Sequence, residues 1–202
     1  MSDNNRIEEI LGYWFGENDA DTAENLRPSI WFQGGPAVDQ EIRDRFYPLI
    51  GRAGLGELES WKKTPRGRIA WILLLDQFTR NVYRGNPPTY AYDILALQAA
   101  REAIAWGQHR EMPLMHRTFL YLPLEHAEEL QAQDECVALY EELAEEAKGT
   151  PVEESVKSML DYAHRHAVVV RRFGRYPHRN ELLSRRSTLD ELDFLASPAA
   201  PF

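Results

Sequence analysis

A chain of 202 residues, 44% hydrophobic and 27% charged, is long enough to bury one substantial core and has the balance of a folded globular protein, which excludes a disordered or fibrous chain. The net charge of −9 argues against nucleic acid as a bulk partner, because backbone phosphates are repelled at long range. The lone Cys136 excludes an intrachain disulfide framework and the longest apolar run is far short of the roughly 20 residues that span a bilayer, so the expected setting is the cytoplasm, away from membranes.

In chain order, Asn5 with Glu8 three residues later predicts a helix start, and Ile7, Ile10, Leu11, Trp14 and Phe15 follow at helical spacing up to Gly16. Residues 17–35 read as a loop in which Trp31 and Phe32 pin two rings onto the core. Pro36 opens a second helix through Leu49, broken by Gly51, Gly54 and Gly56, and a short helix is expected near Leu55 to Trp61. Thr64-Pro65, a cap followed by a first-turn proline, launches the central stretch from Arg68 to Arg84. That stretch starts with the most apolar run of the chain, Ile69 to Leu75, and turns polar at Asp76. At about 100° per residue, Asp76, Gln77, Arg80, Asn81 and Arg84 share one arc.

Past the Gly85-Asn86-Pro87-Pro88 turn, residues 89–106 read as helix, ended by Gly107. Pro113 to Leu122 is again helical, with Pro123 expected to interrupt it. Residues 131–147 form an amphipathic helix that buries Cys136, and Pro151 opens a long helix to Phe173. Thr188 with Glu191 is a capping box for a terminal helix. With no strand alternation bounded by hairpin turns, the fold is expected to be all-α: an array of antiparallel helix pairs or an irregular bundle over residues 1–196, with a frayed tail at 197–202.

Three places carry polar residues that solubility does not easily explain. The first is the Asp76, Gln77, Arg80, Asn81 face, which is either an exposed helix end with an ion pair one turn apart or the wall of a pocket. The second follows Pro123, where Glu125 and His126 are aimed by a break in an apolar helix. The third is the Tyr162 to Arg186 segment, where His166 falls inside an apolar stripe and so needs a partner. From 165 to 186, seven arginines face Glu181 alone, a net +6 in a chain that is otherwise −15. These arginines either neutralise the nine acids between Glu125 and Glu146 or form an anion pocket, since guanidinium forks grip carboxylate or phosphate. A metal is not expected: Asp161 with His164 is a single pair, where a bundle dimetal site needs two. No cofactor signature is present.

Trp14-Phe15-Gly16, the D-Q-F-T-R-N run from Asp76 to Asn81, Arg84-Gly85, Tyr121-Leu122-Pro123 with Glu125-His126, and the R-F-G-R-Y-P-H-R-N run from Arg172 to Asn180 together resemble a bacterial family, the domain of unknown function 924 family. Order and spacing match over nearly the whole chain. The resemblance implies an all-helical fold of the tetratricopeptide-like superhelical type and no established reaction. It marks Asp76, Gln77, Arg80, Asn81, His126, His166, His178, Arg179 and Asn180 as recurrent polar positions. The chain departs from the pattern at Thr79, where proline is usual, at Ala127, where serine is frequent, and at Ser184, where glycine is usual.

The expected function is a polar pocket for a small anionic or polar ligand, held by Asp76, Gln77, Arg80, Asn81, His178, Arg179 and Asn180. If the protein is an enzyme, His126 or His166 is its candidate general base or acid. The competing expectation is a scaffold that takes a peptide or partner on a concave, aromatic-lined groove, the polar motifs being structural. Trp31 or Trp106 could mark the contact of a homodimer.

Overall fold

Apolar residues spaced three to four apart build the long helices, and each buries that stripe against its neighbours. The computed structural model describes residues 2–16 and 21–197, and every regular element among them is helical. Helix α1 spans Asp3–Phe15 and starts before Asn5: Ser2 is the true cap, its hydroxyl accepting the Asn5 N–H, and Asp3 complements the positive helix end. Of the loop expected at 17–35, the described part contains a helical turn, Pro28–Trp31. Trp31 faces inward, donating its indole N–H to the Trp14 carbonyl at 2.8 Å. Phe32 lies over the buried Phe119 ring, centroids 6.5 Å apart and nearly parallel, while staying 60% exposed.

Helix α2, Pro36–Gly54, runs straight through Gly51. Leu49, Ile50 and Ala53 are buried there, and burial outweighs the roughly 1 kcal/mol that a mid-helix glycine costs. The last residue of the helix, Gly54, has to be glycine because any Cβ there would overlap the Tyr92 ring. The short helix expected near residues 55–61 is present as a 3-10 helix shifted along the chain, Glu59–Lys63.

The central helix, α3, begins at Pro65 under the Thr64 cap, whose hydroxyl accepts the Gly67 N–H at 3.1 Å. It is α-helical over Pro65–Ile72, widens into a π turn over Leu73–Phe78, and closes as α-helix over Thr79–Val82. A constant 100° per residue therefore misplaces the residues after Ile72. Ile69 to Leu75 are at most 1% exposed, since α3 lies among α1, α2, α4 (Asp93–Ala105) and α5 (Leu114–Glu125). Helix α4 starts later than its apolar pattern suggests, after a tight turn at Pro87–Tyr90. Trp14, packed against Phe78 at 5.4 Å and Phe119 at 5.5 Å, is the aromatic centre of the core.

Pro123 does not break α5. Side chains of the next helix, α6 (Leu130–Glu146), take up the carbonyls around and beyond it. The Tyr140 hydroxyl donates to Thr118 O at 2.6 Å, and the Gln133 amide donates to Leu124 O and Glu125 O at 3.2 and 2.8 Å. Helix α6 packs along α7 (Glu153–Phe173), and α5 touches both. Helix α8, Leu189–Leu195, carries the Thr188–Glu191 capping box with both reciprocal bonds, and Phe194 covers a small satellite core with Val169, Val170 and Tyr176. The tail expected to fray lies outside the described residues from 198 onward. Among the described residues no helix is long and apolar enough to cross a membrane.

Candidate functional site

The polar end of α3 is buried, not wet. Asp76 is fully buried, and its carboxylate receives His126 Nδ1 at 2.8 Å, the Gln77 amide at 2.6 Å and Arg80 Nη1 at 3.2 Å. His126 reaches it from the C-terminal cap of α5. Burial alone would raise the Asp76 carboxyl, but Arg80, His126 and Gln77 outweigh it and hold the group well below the usual carboxylate range. Burial and the Arg80 charge push His126 down, with Asp76 opposing them, so the ring is neutral near pH 7. An ionised Asp76 keeps the proton on Nδ1 and leaves Nε2 as the ring's acceptor.

Arg80 is largely committed to holding the frame. Nη1 donates to Asp76 O at 2.7 Å and to Asp93 Oδ1 at 2.9 Å, and Nη2 donates to Asp93 Oδ2 at 2.9 Å. Arg179 is different. Its guanidinium lies between the Tyr90 and Tyr176 rings, 4.6 Å from each centroid, and only 7% of the side chain is exposed. It makes one long ion pair, to Asp93 Oδ2 at 3.5 Å, and donates no side-chain hydrogen bond among the described residues; its buried Nε has no partner there. Burial and the neighbouring Arg80 charge both lower its pKa, which the single aspartate only partly offsets.

A cavity of about 280 Å³ opens over this group, lined by Arg80, Arg84, His126, His166, His178 and Arg179 among others. His166 enters from α7, its Nδ1 bonded to Tyr162 O at 2.8 Å and lying 3.4 Å from Glu125 Oε1. Burial lowers His166 to about 3 and His178 to about 4. Glu125 is 3% exposed; burial, with Asp76 nearby, raises it to about 8, so it is a neutral acid at pH 7.

Asp76, Gln77, Arg80, His126, His166, His178 and Arg179 thus meet around one cleft. Asn81 and Asn180 do not. Asn81 donates to Asp39 Oδ1 at 2.8 Å, joining the Arg84 fork on that carboxylate, because the π turn rotates it towards α2. Asn180 braces the following loop, donating to Ser187 at 3.0 Å and accepting from Arg185 Nε at 2.9 Å. The basic segment is largely neutralised within the chain: Arg171 pairs with Asp134, Arg185 with Glu128 and Arg175 with Glu191. Of its seven arginines, Arg179 is the one that lines this cavity.

Sequence reasoning missed Asp93, Tyr90 and Tyr176. Tyr176 sits in the R-F-G-R-Y-P-H-R-N run and was within reach of a closer reading. Asp93 and Tyr90 lie where the pattern shows only a helix start, and nothing local marks them. Among the described residues no three His, Cys, Asp or Glu side chains converge so as to hold a metal ion.

A family model for a bacterial protein of unknown function matches residues 10–199. A solved structure of a protein of unknown function from Agrobacterium tumefaciens is 33% identical, with a TM-score of 0.82, and the match covers 96% of this chain and 99% of that one. No curated protein matches. The extent of the family match, together with this neighbour, shows that the chain belongs to the DUF924 family of bacterial proteins of unknown function.

Proposed function

We propose that the cleft binds a small anionic ligand, with Arg179 as its charge partner and His126 Nε2 as the proton acceptor beside it. The carrying observation is the state of Arg179: a guanidinium whose side chain is only 7% exposed, flanked by two tyrosine rings, with one long ion pair to Asp93 and a buried Nε that no described residue meets. Burying a cation costs several kcal/mol unless something repays it, and an anion in the cavity does so. The Asp76–His126 pair adds a base whose tautomer is set by a buried carboxylate, an arrangement suited to accepting a proton from the ligand. The lone, buried Cys136 supports a reducing compartment, the cytoplasm.

A peptide scaffold draws support from the aromatic wall at Trp31, Phe32 and Tyr162. It leaves the buried Arg179 without a task, and for that reason ranks second. The deciding experiment is a thermal-shift screen with phosphates, carboxylates and divalent metals on the wild type and on Arg179→Met. An anion that raises the wild-type Tm and leaves a folded Arg179→Met unaffected supports the reading. Anion hits that survive the substitution, or a variant that unfolds for want of the guanidinium, refute it.

A further inference from the structure

The charged cavity continues past the histidines. Arg80, Arg84, His126 and His166 line it and also line a wider lobe of about 570 Å³, so the two share a wall. In that second lobe the chemistry changes to Trp31, Phe32, Leu122 and Met159. A further hollow of about 280 Å³ extends it, again against Trp31, Phe32 and Met159. Phe32 is 60% exposed, and Tyr162 at the same lobe is 44% exposed. Large rings open to water along one continuous cleft are an unmet apolar surface beside a charged end.

We propose that the ligand is a carboxylate with an extended apolar tail, its head on Arg179 and its tail over Trp31, Phe32, Leu122 and Met159. This rests on the anion reading above and names the class of molecule.

The head group follows from the count of uncommitted donors. Arg80 has its fork on Asp93 and Arg84 has its fork on Asp39. That leaves Arg179, and one guanidinium fork matches the two oxygens of one carboxylate. A phosphate dianion calls for a second cation with donors to spare, yet Arg80 and Arg84 are already held by Asp76, Asp93 and Asp39. The tail follows from continuity: the charged lobe and the apolar-walled lobe share Arg80, Arg84, His126 and His166, so a ligand with its head on Arg179 meets the apolar wall past the two histidines. An apolar chain there removes exposed ring surface from water as well as its own.

The test is a titration with straight-chain carboxylates from acetate to decanoate, with inorganic phosphate, with octyl phosphate and with 1-octanol, followed by the NMR ring signals of His126, His166 and His178. Affinity is expected to rise about two- to fourfold per added methylene before levelling off. Octanoate is expected to bind more tightly than octyl phosphate and 1-octanol. Phe32→Ala, at an exposed position that leaves the core intact, should weaken octanoate about three- to tenfold and leave acetate unchanged. Arg179→Met should abolish binding at every length. Acetate and octanoate binding equally, both through Arg179, would overturn the tail while leaving the anion reading in place. A preference for the phosphate or the alcohol at equal length overturns the head-group assignment. If neither carboxylate nor phosphate moves the histidine signals, or binding survives Arg179→Met, both proposals fall.

Discussion

Replacing Asp76 by Asn tests the electrostatic frame of the cleft at its deepest point. The carboxylate is fully buried and receives His126 at 2.8 Å, Gln77 at 2.6 Å and Arg80 at 3.2 Å. An amide keeps one acceptor oxygen and turns the other position into a donor, which then meets either the Gln77 amide or the His126 N–H head on. A lost charge-assisted hydrogen bond is worth about 1.5–3 kcal/mol, and removing one partner of a buried pair costs about 3–5 kcal/mol. Arg80 retains both bonds to Asp93, which keeps the cost at the low end, about 3 kcal/mol. For a chain of this size that is a fall in Tm of roughly 6–12 °C. Asp76 also raises the pKa of His126 against burial and Arg80, so its removal should push that histidine further down in an NMR titration. A Tm within about 2 °C of wild type, with His126 titrating as before, would refute the account of Asp76 as the ionised anchor of the dyad.

Arg179→Met should unfold within about 1 kcal/mol of wild type in urea, since it trades a costly buried cation for an apolar chain of similar reach; a loss above about 3 kcal/mol would make Arg179 a structural strut. Acid should destabilise the protein through its buried histidines. Burial holds His116 and His166 at about 3 and His178 at about 4, so between those values and 6.5 the folded state binds fewer protons than the unfolded chain. Their stabilising contribution is complete above pH 6.5 and is lost as pH falls towards 3. Glu125, raised to about 8, works in the opposite sense as pH rises from 4.5, and one group does not cancel three. The urea midpoint should therefore drop from pH 7 to pH 4, less steeply in His116→Asn; a flat profile is the contrary result. Ser184→Gly should raise Tm by about 2–4 °C, because Ser184 holds φ +53°, a left-handed conformation that costs a residue with a Cβ about 1 kcal/mol. No gain would mean that the serine side chain repays the strain.

How far the site was legible in the chain differs residue by residue. The burial of Ile69 to Leu75 followed from seven apolar residues in a row, and the Thr64 and Thr188 caps followed from local hydrogen-bonding chemistry. His166 was rightly seen as needing a partner, which the Tyr162 carbonyl supplies one turn back. Asn81 and Asn180 were grouped with the cleft because they stand in the same short motifs, yet each spends its amide on a neighbouring loop or helix. Pro123 looked like a break, yet α5 runs two residues past it to Glu125, where Gln133 takes up the carbonyls of the helix end from the neighbouring helix.

The sequence by itself determined the all-helical class, the helix starts at the Thr64 and Thr188 caps, and the position of the polar motifs at the ends of apolar helices. These depend on contacts within one turn, which spacing encodes. Only the tertiary structure decided who pairs with whom: Asp76 with His126, Arg80 with Asp93, and Arg179 set beside Tyr90 and Tyr176 with one long ion pair to Asp93 and its Nε without a partner among the described residues. Apart from the local contact of Arg179 with Tyr176, those pairings join residues 13 to 89 positions apart. They depend on a π turn that shifts the register of α3 and on how helices cross, and neither leaves a period in the chain.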